Sequence, residues 1–181
     1  IVSWDFGDGR PLAISIETRK ERGESYDALR GFFRQYELYY VVADERDVVR
    51  LRTNLRGEQV FLYRLRAAPA AARQLLLSYV DSLNTVAAHP KWYNAFTHNC
   101  TTTIRLHVQD AGIHNPWNWR LLANGKLDEL LYSRGDVTTS LPFDQLRAQS
   151  DVTARARAAG DDPRFSELIR DGVPARLPPR Q

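Results

Sequence analysis

Hydrophobic and polar positions along the chain change period several times, and each change marks an element. Leu12, Ile14 and Ile16 alternate with Ala13, Ser15 and Glu17, the period of two that predicts a half-buried strand. Before it lie the apolar start 1–6 and the turn pair Asp8-Gly9, so the two segments read as a hairpin. Residues 36–43, rich in Tyr and Val, predict a second strand in the body of the chain. Residues 59–65 are apolar on both faces apart from Arg64, the pattern of a strand near the middle of a sheet.

The helical period appears first after Asp44, a capping residue, and places Val48, Leu51 and Leu55 on one side of a helix running through Arg56 to Gly57. A longer helix opens at Pro69 and carries Ala72, Leu75, Leu76, Tyr79, Val80 and Leu83 at i, i+3, i+4 spacing until His89-Pro90 stops it. Cys100, Ile104 and Val108 share one side of a further helix, with Gly112 at its end. Residues 20–25 and 113–119 read as loops, 26–33 as a short helical or irregular piece, and 120–132, 143–149 and 165–170 as short helices. The sum is an α+β class: a small, mostly antiparallel sheet packed on a long helix and a cysteine-bearing helix. It is expected as one domain over residues 1–174, with a Pro-rich tail at 175–181.

Composition narrows the chemistry. No apolar run reaches the ~18 residues of a membrane span. The chain begins at Ile1 and has no Met, which reads as a fragment or processed product. One cysteine among 181 residues excludes an internal disulfide framework and a Cys-rich zinc site. The net charge of +3 is small, and the arginines are interleaved with acidic residues, so a nucleic-acid partner is not expected. No metal site is expected either, because His98 and Cys100 lack a paired ligand motif, and no cofactor is called for by any phosphate loop or serine elbow.

The remaining candidate is Cys100 itself. A polar approach ending in Asn99 (or Thr97) would cap the helix and put Cys100 in its first turn. Unpaired N–H groups and the helix dipole there favour thiolate over thiol. The N–H groups of Cys100 and its neighbour Thr101 would also be oxyanion donors. The equally plain alternative is a small side chain buried under a helix. A base is harder to find: His98 is two residues away, His89 and His114 lie in loops, and His107 is about two turns on, ~10 Å along the helix. Ser15, Glu17 and Arg19 share one face of their strand, a surface ion pair by default and an orienting set if that face lines a cleft.

Three blocks together are specific. Residues 15–26 (Ser15-Ile16-Glu17-Thr18-Arg19 onward), 36–47 (Tyr36-Glu37-Leu38-Tyr39-Tyr40 onward) and 93–102 (Tyr93-Asn94 to Asn99-Cys100-Thr101-Thr102) resemble, in this order, the bacterial Lnb N-terminal periplasmic domain family. The resemblance covers about residues 4–174. It implies a cysteine enzyme of the Gram-negative periplasm or cell envelope, with a fold similar to the permuted NlpC/LRAT or papain-like enzymes. Implied with it are a thioester on Cys100, acyltransferase or amide/ester hydrolase activity, and an envelope lipid, lipoprotein or peptide substrate, leaving room for membrane association. In the permuted layout the histidine is expected on the strand before the Asp8-Gly9 turn, and residues 1–6 hold none. His98 then stands as the base within this chain, and Ser15, Glu17, Arg19, Asn99 and Thr101 as binding or orienting residues. A non-catalytic envelope scaffold and a peptidoglycan peptide hydrolase are the alternatives.

Overall fold

A computed structural model describes residues 1–19, 37–92, 100–110, 112, 126–138, 140–175 and 177–178, with the backbone alone at 18–19, 91–92 and 100–102. The chain divides into two compact units. Four strands, β1 (Val2–Trp4), β2 (Leu12–Arg19), β3 (Glu37–Asp44) and β4 (Lys91–Trp92), are hydrogen-bonded in the order β1-β2-β3-β4. With the seven α-helices described below, this is the α+β class that the periodicity predicts.

The first unit comprises Ile1–Ile14, Val42–Ala68 and Asp128–Gln181. The expected hairpin forms here, β1 pairing antiparallel with β2 in the register Val2↔Ile14, Trp4↔Leu12. Its connection is shaped by two aspartates whose Oδ1 atoms accept from the backbone two residues on, Asp5 from Gly7 N at 2.9 Å and Asp8 from Arg10 N at 3.0 Å. Helix α1 (Glu45–Arg50) starts as expected at Asp44, whose side chain accepts from Arg46 N at 2.9 Å. The chain then widens into a π-helical turn at Leu51–Leu55. That extra residue in the ring shifts the phase, so Val48, Val49 and Thr53 are buried while Leu55, expected on the inner side, is 79% exposed.

Residues 59–65 do not form the expected central strand. Their only ladder contact among the described residues is a single antiparallel bridge, Phe61 to Asp151. Leu62 N donates to Ser150 O (2.8 Å) and Val152 N to Val60 O (3.0 Å). The segment is apolar on both sides because helices cover it. Val60 and Leu62 pack on a core of Val49, Val152, Ala156, Phe165, Ile169 and Val173, and Phe61 lies under the Arg147 guanidinium, 5.0 Å from ring centroid. That core is built by α6 (Thr153–Ala159) and α7 (Phe165–Leu168), next in sequence to α4 (Leu127–Arg134) and α5 (Phe143–Ser150). One buried charge is held there: Glu45, 2% exposed, receives both terminal nitrogens of Arg170, at 2.5 and 2.7 Å. The tail lies against the unit, with Arg66 Nε donating to Pro178 O.

The second unit comprises Ser15–Val41 and Pro69–Leu127. Here β3 pairs antiparallel with β4, Glu37 opposite Trp92 and Leu38 opposite Lys91. Helix α2 (Pro69–Ala88) is the long helix, 20 residues from the proline to the His89-Pro90 stop. It buries a narrower line than the spacing suggests: Leu75 and Tyr79 are interior, whereas Val80 is 43% exposed. Helix α3 (Cys100–Asp110) begins at the cysteine, and Gly112 follows it with φ +74°.

Candidate functional site

Cys100 is the first residue of α3, the position expected from its polar approach. The interior line of that helix is not the aliphatic one. Thr103 and His107, four residues apart, are buried, while Ile104 and Val108 are half-buried and Leu106 is exposed. A polar side chain on the inner line is costly unless a polar partner meets it there.

His107 has such partners on both nitrogens. Nε2 lies 2.9 Å from the Tyr40 hydroxyl on β3, and Nδ1 lies 2.9 Å from the Ser78 hydroxyl on α2. Ser78 in turn donates to Asp110 Oδ2 at 3.2 Å. A carboxylate can only accept, so Ser78 spends its proton there and accepts from Nδ1–H. Nε2 is then left to accept from Tyr40, which fixes the tautomer. Ser82, one turn beyond Ser78, lies on the same cavity wall as Tyr40. The protons therefore run one way, from Tyr40 through His107 and Ser78 to Asp110. Burial pushes the Tyr40 hydroxyl up to about 12, a rise that the nearby Ser82 hydroxyl partly opposes. Tyr79 completes the packing, its ring 4.1 Å from the imidazole by centroids and tilted by 32°.

Beside this chain is a cavity of about 260 Å³. Leu38, Val86 and Leu106 give it an aliphatic wall, and Tyr40, Ser82, Thr103, His107 and Asp110 give it a polar one. The Thr103 hydroxyl is buried without a hydrogen-bond partner among the described residues.

Of the residues singled out from the sequence, Ser15 and Glu17 are brought together: Ser15 is buried on β2 and donates to Glu17 Oε1 at 2.6 Å. Glu17 therefore bonds along its own strand, as the shared parity requires. Arg19 closes β2 and Thr101 follows Cys100 in α3, but the side chains of Cys100, Thr101 and Arg19, and the whole of His98 and Asn99, lie outside the described residues. The polar chain through Tyr40, Ser78, His107 and Asp110, with Ser82 on the same wall, was missed by sequence reasoning. Its signal is periodic: Ser78 and Ser82 are i, i+4 on α2, and Thr103, His107 and Asp110 are i, i+4, i+7 on α3.

Among the described residues, no cluster of His, Cys, Asp and Glu is arranged for a metal ion, and no helix is long and apolar enough to cross a membrane. A family model described as the Lnb N-terminal periplasmic domain matches residues 2–125, more than half of the chain. No curated protein and no solved structure matches.

Proposed function

The chain belongs to the Lnb N-terminal periplasmic domain family, and from that premise we propose that it is a cysteine-dependent acyltransferase or amide/ester hydrolase of the Gram-negative envelope, with a permuted NlpC/LRAT-like layout. The observation that carries the reading is the place of Cys100, the first residue of an 11-residue helix inside the matched segment. A thiol in a first helical turn sits among N–H groups whose dipoles stabilise thiolate.

In this reaction the Cys100 thiolate attacks the carbonyl carbon of an acyl donor, a C–S bond forms, and the bond to the donor's oxygen or nitrogen breaks as that atom takes a proton. Water or an amine then attacks the thioester, the C–S bond breaks, and the thiolate returns. His98 is the base this reading assigns within the chain, and Ser15, Glu17, Arg19, Asn99 and Thr101 are its binding and orienting residues. His107 does not take that part. It lies seven residues along the helix, ~10 Å from Cys100 by helical rise, and both its nitrogens are engaged. Lipid or lipoprotein is the favoured donor.

Intact-protein mass after incubation with a phospholipid, a lipopeptide or a peptidoglycan peptide tests this. A gain of one acyl group from a lipid donor, absent in Cys100→Ser, is the expected result. Acyl mass from the peptide alone would move the activity to peptide hydrolysis. Mass that persists in Cys100→Ser, or a chain that gains none from any donor, overturns the reading; the latter favours a binding or scaffold domain.

A further inference from the structure

The cavity beside the polar chain has no role in the thiol chemistry above, and its walls specify a ligand. Its volume, about 260 Å³, is several times the ~30 Å³ that one water occupies in the liquid. Water could satisfy Thr103, but it gains nothing against Leu38, Val86 and Leu106, which need an aliphatic body. The polar wall is unbalanced. Asp110 offers carboxylate oxygens only. Ser82 lines the same wall with a hydroxyl whose lone pairs can accept. The Tyr40 and Ser78 protons are spent within the chain through His107. Thr103 keeps an uncommitted hydroxyl, buried and without a partner among the described residues. The wall therefore holds more acceptors than donors, and its one lining carboxylate among the described residues, Asp110, sets the sign of the charge it will take.

We propose that this cavity is a binding site for an aliphatic primary ammonium group: the cation on Asp110, Ser82 and Thr103, and the alkyl body on Leu38, Val86 and Leu106. An alkanoate of the same length is rejected by the carboxylate, and an alkanol fills the same space without the charge. The site is independent of Cys100 and stands or falls apart from the acyl-transfer reading.

The test is an NMR titration of the whole chain with hexylammonium, hexan-1-ol and hexanoate, followed on the Thr103 and Leu106 methyl resonances. Saturable shifts are expected for hexylammonium, on the order of tenfold tighter than for hexan-1-ol, with none for hexanoate. Asp110→Asn removes the charge at an exposed position and should bring ammonium and alcohol within about twofold of each other. Leu106→Trp, at a site 42% exposed and so tolerant of bulk, should block both. Three outcomes would overturn the assignment: hexylammonium shifts that do not saturate, hexanoate binding as tightly as hexylammonium, or an ammonium preference that survives Asp110→Asn.

Discussion

Replacing His107 by Phe separates an anchoring histidine from a catalytic one. The substitution keeps an aromatic ring in the place that stacks on Tyr79 at 4.1 Å, so the apolar contact is largely retained. It removes the bonds to Tyr40 and Ser78. Each neutral hydrogen bond contributes about 1 kcal/mol net, and a buried hydroxyl stripped of its acceptor costs about 1–3 kcal/mol. Ser78 keeps Asp110 as acceptor, so only Tyr40 is stranded. The expected loss is therefore about 2–3 kcal/mol. With a urea slope of about 2 kcal/mol per M, the midpoint should fall by roughly 1–1.5 M at unchanged slope. Tryptophan fluorescence and circular dichroism should be followed together, because coincident transitions are needed for that conversion. In a double-mutant cycle with Tyr40→Phe, the pair should show coupling of about 1 kcal/mol. Alkylation of Cys100 against pH supplies the functional half: its midpoint should be the same in His107→Phe and the parent. A loss under about 0.5 kcal/mol with additive single mutants would refute the hydrogen-bonded anchor. A raised alkylation midpoint would mean that His107 acts on the thiol after all.

Two further perturbations test the physics of the fold. Glu45→Ala leaves Arg170 charged with its side chain only 18% exposed, and should cost about 3 kcal/mol in urea unfolding, with Arg170→Met added to it recovering part of the loss. Tyr40 has its ionisation raised from 10.0 to about 12 in the folded chain, so its contribution is complete below pH ~10 and is lost as pH rises toward ~12, on the order of 1 kcal/mol once solvent screening is allowed for. Phenolate absorbance should show this tyrosine titrating late, and Tyr40→Phe should flatten the alkaline fall in stability; an unchanged fall would place its cause elsewhere, for example at Tyr63, which burial and Asp128 also raise.

The places of the main elements were legible, but not which faces they bury: Ala13 and Ser15 are as buried as Ile14 and Ile16. The Leu12–Ile16 alternation, the stripe from Pro69 and the Cys100 helix start all form where the spacing puts them. Residues 59–65 misled because period and composition report how much of a segment is covered, not by what. Val60 and Leu62 are partly buried against the core that α6 and α7 build, where a sheet was expected. Leu55 misled because a π-helical turn adds a residue to the ring, which no hydrophobic pattern announces. The polar chain was hidden for a similar reason. Ser78, Ser82 and Asp110 look solvated on a helical wheel, and His107 was weighed only as a base for a distant sulfur. What makes it interior is the match between β3, α2 and α3, information that lies in three separated segments.

That match also bears on how a lone cysteine can be aimed. Rotating a helix about its axis by one residue turns every side chain through ~100°, and aliphatic contacts resist such slippage weakly because they are non-directional. His107 follows Cys100 by seven residues, two helical turns less ~20°. Its azimuth on α3 is therefore nearly that of Cys100. Two hydrogen bonds at opposite ring nitrogens, one to β3 and one to α2, fix that azimuth with directional partners. A buried histidine two turns downstream can thus set the rotational register of the residue that opens the helix without meeting it. On this account Ser78→Ala and Tyr40→Phe should each slow Cys100 acylation by a lipid donor while leaving the pH midpoint of thiol alkylation in place. A shift of that midpoint, with acylation unaffected, would reverse the roles assigned to anchor and base.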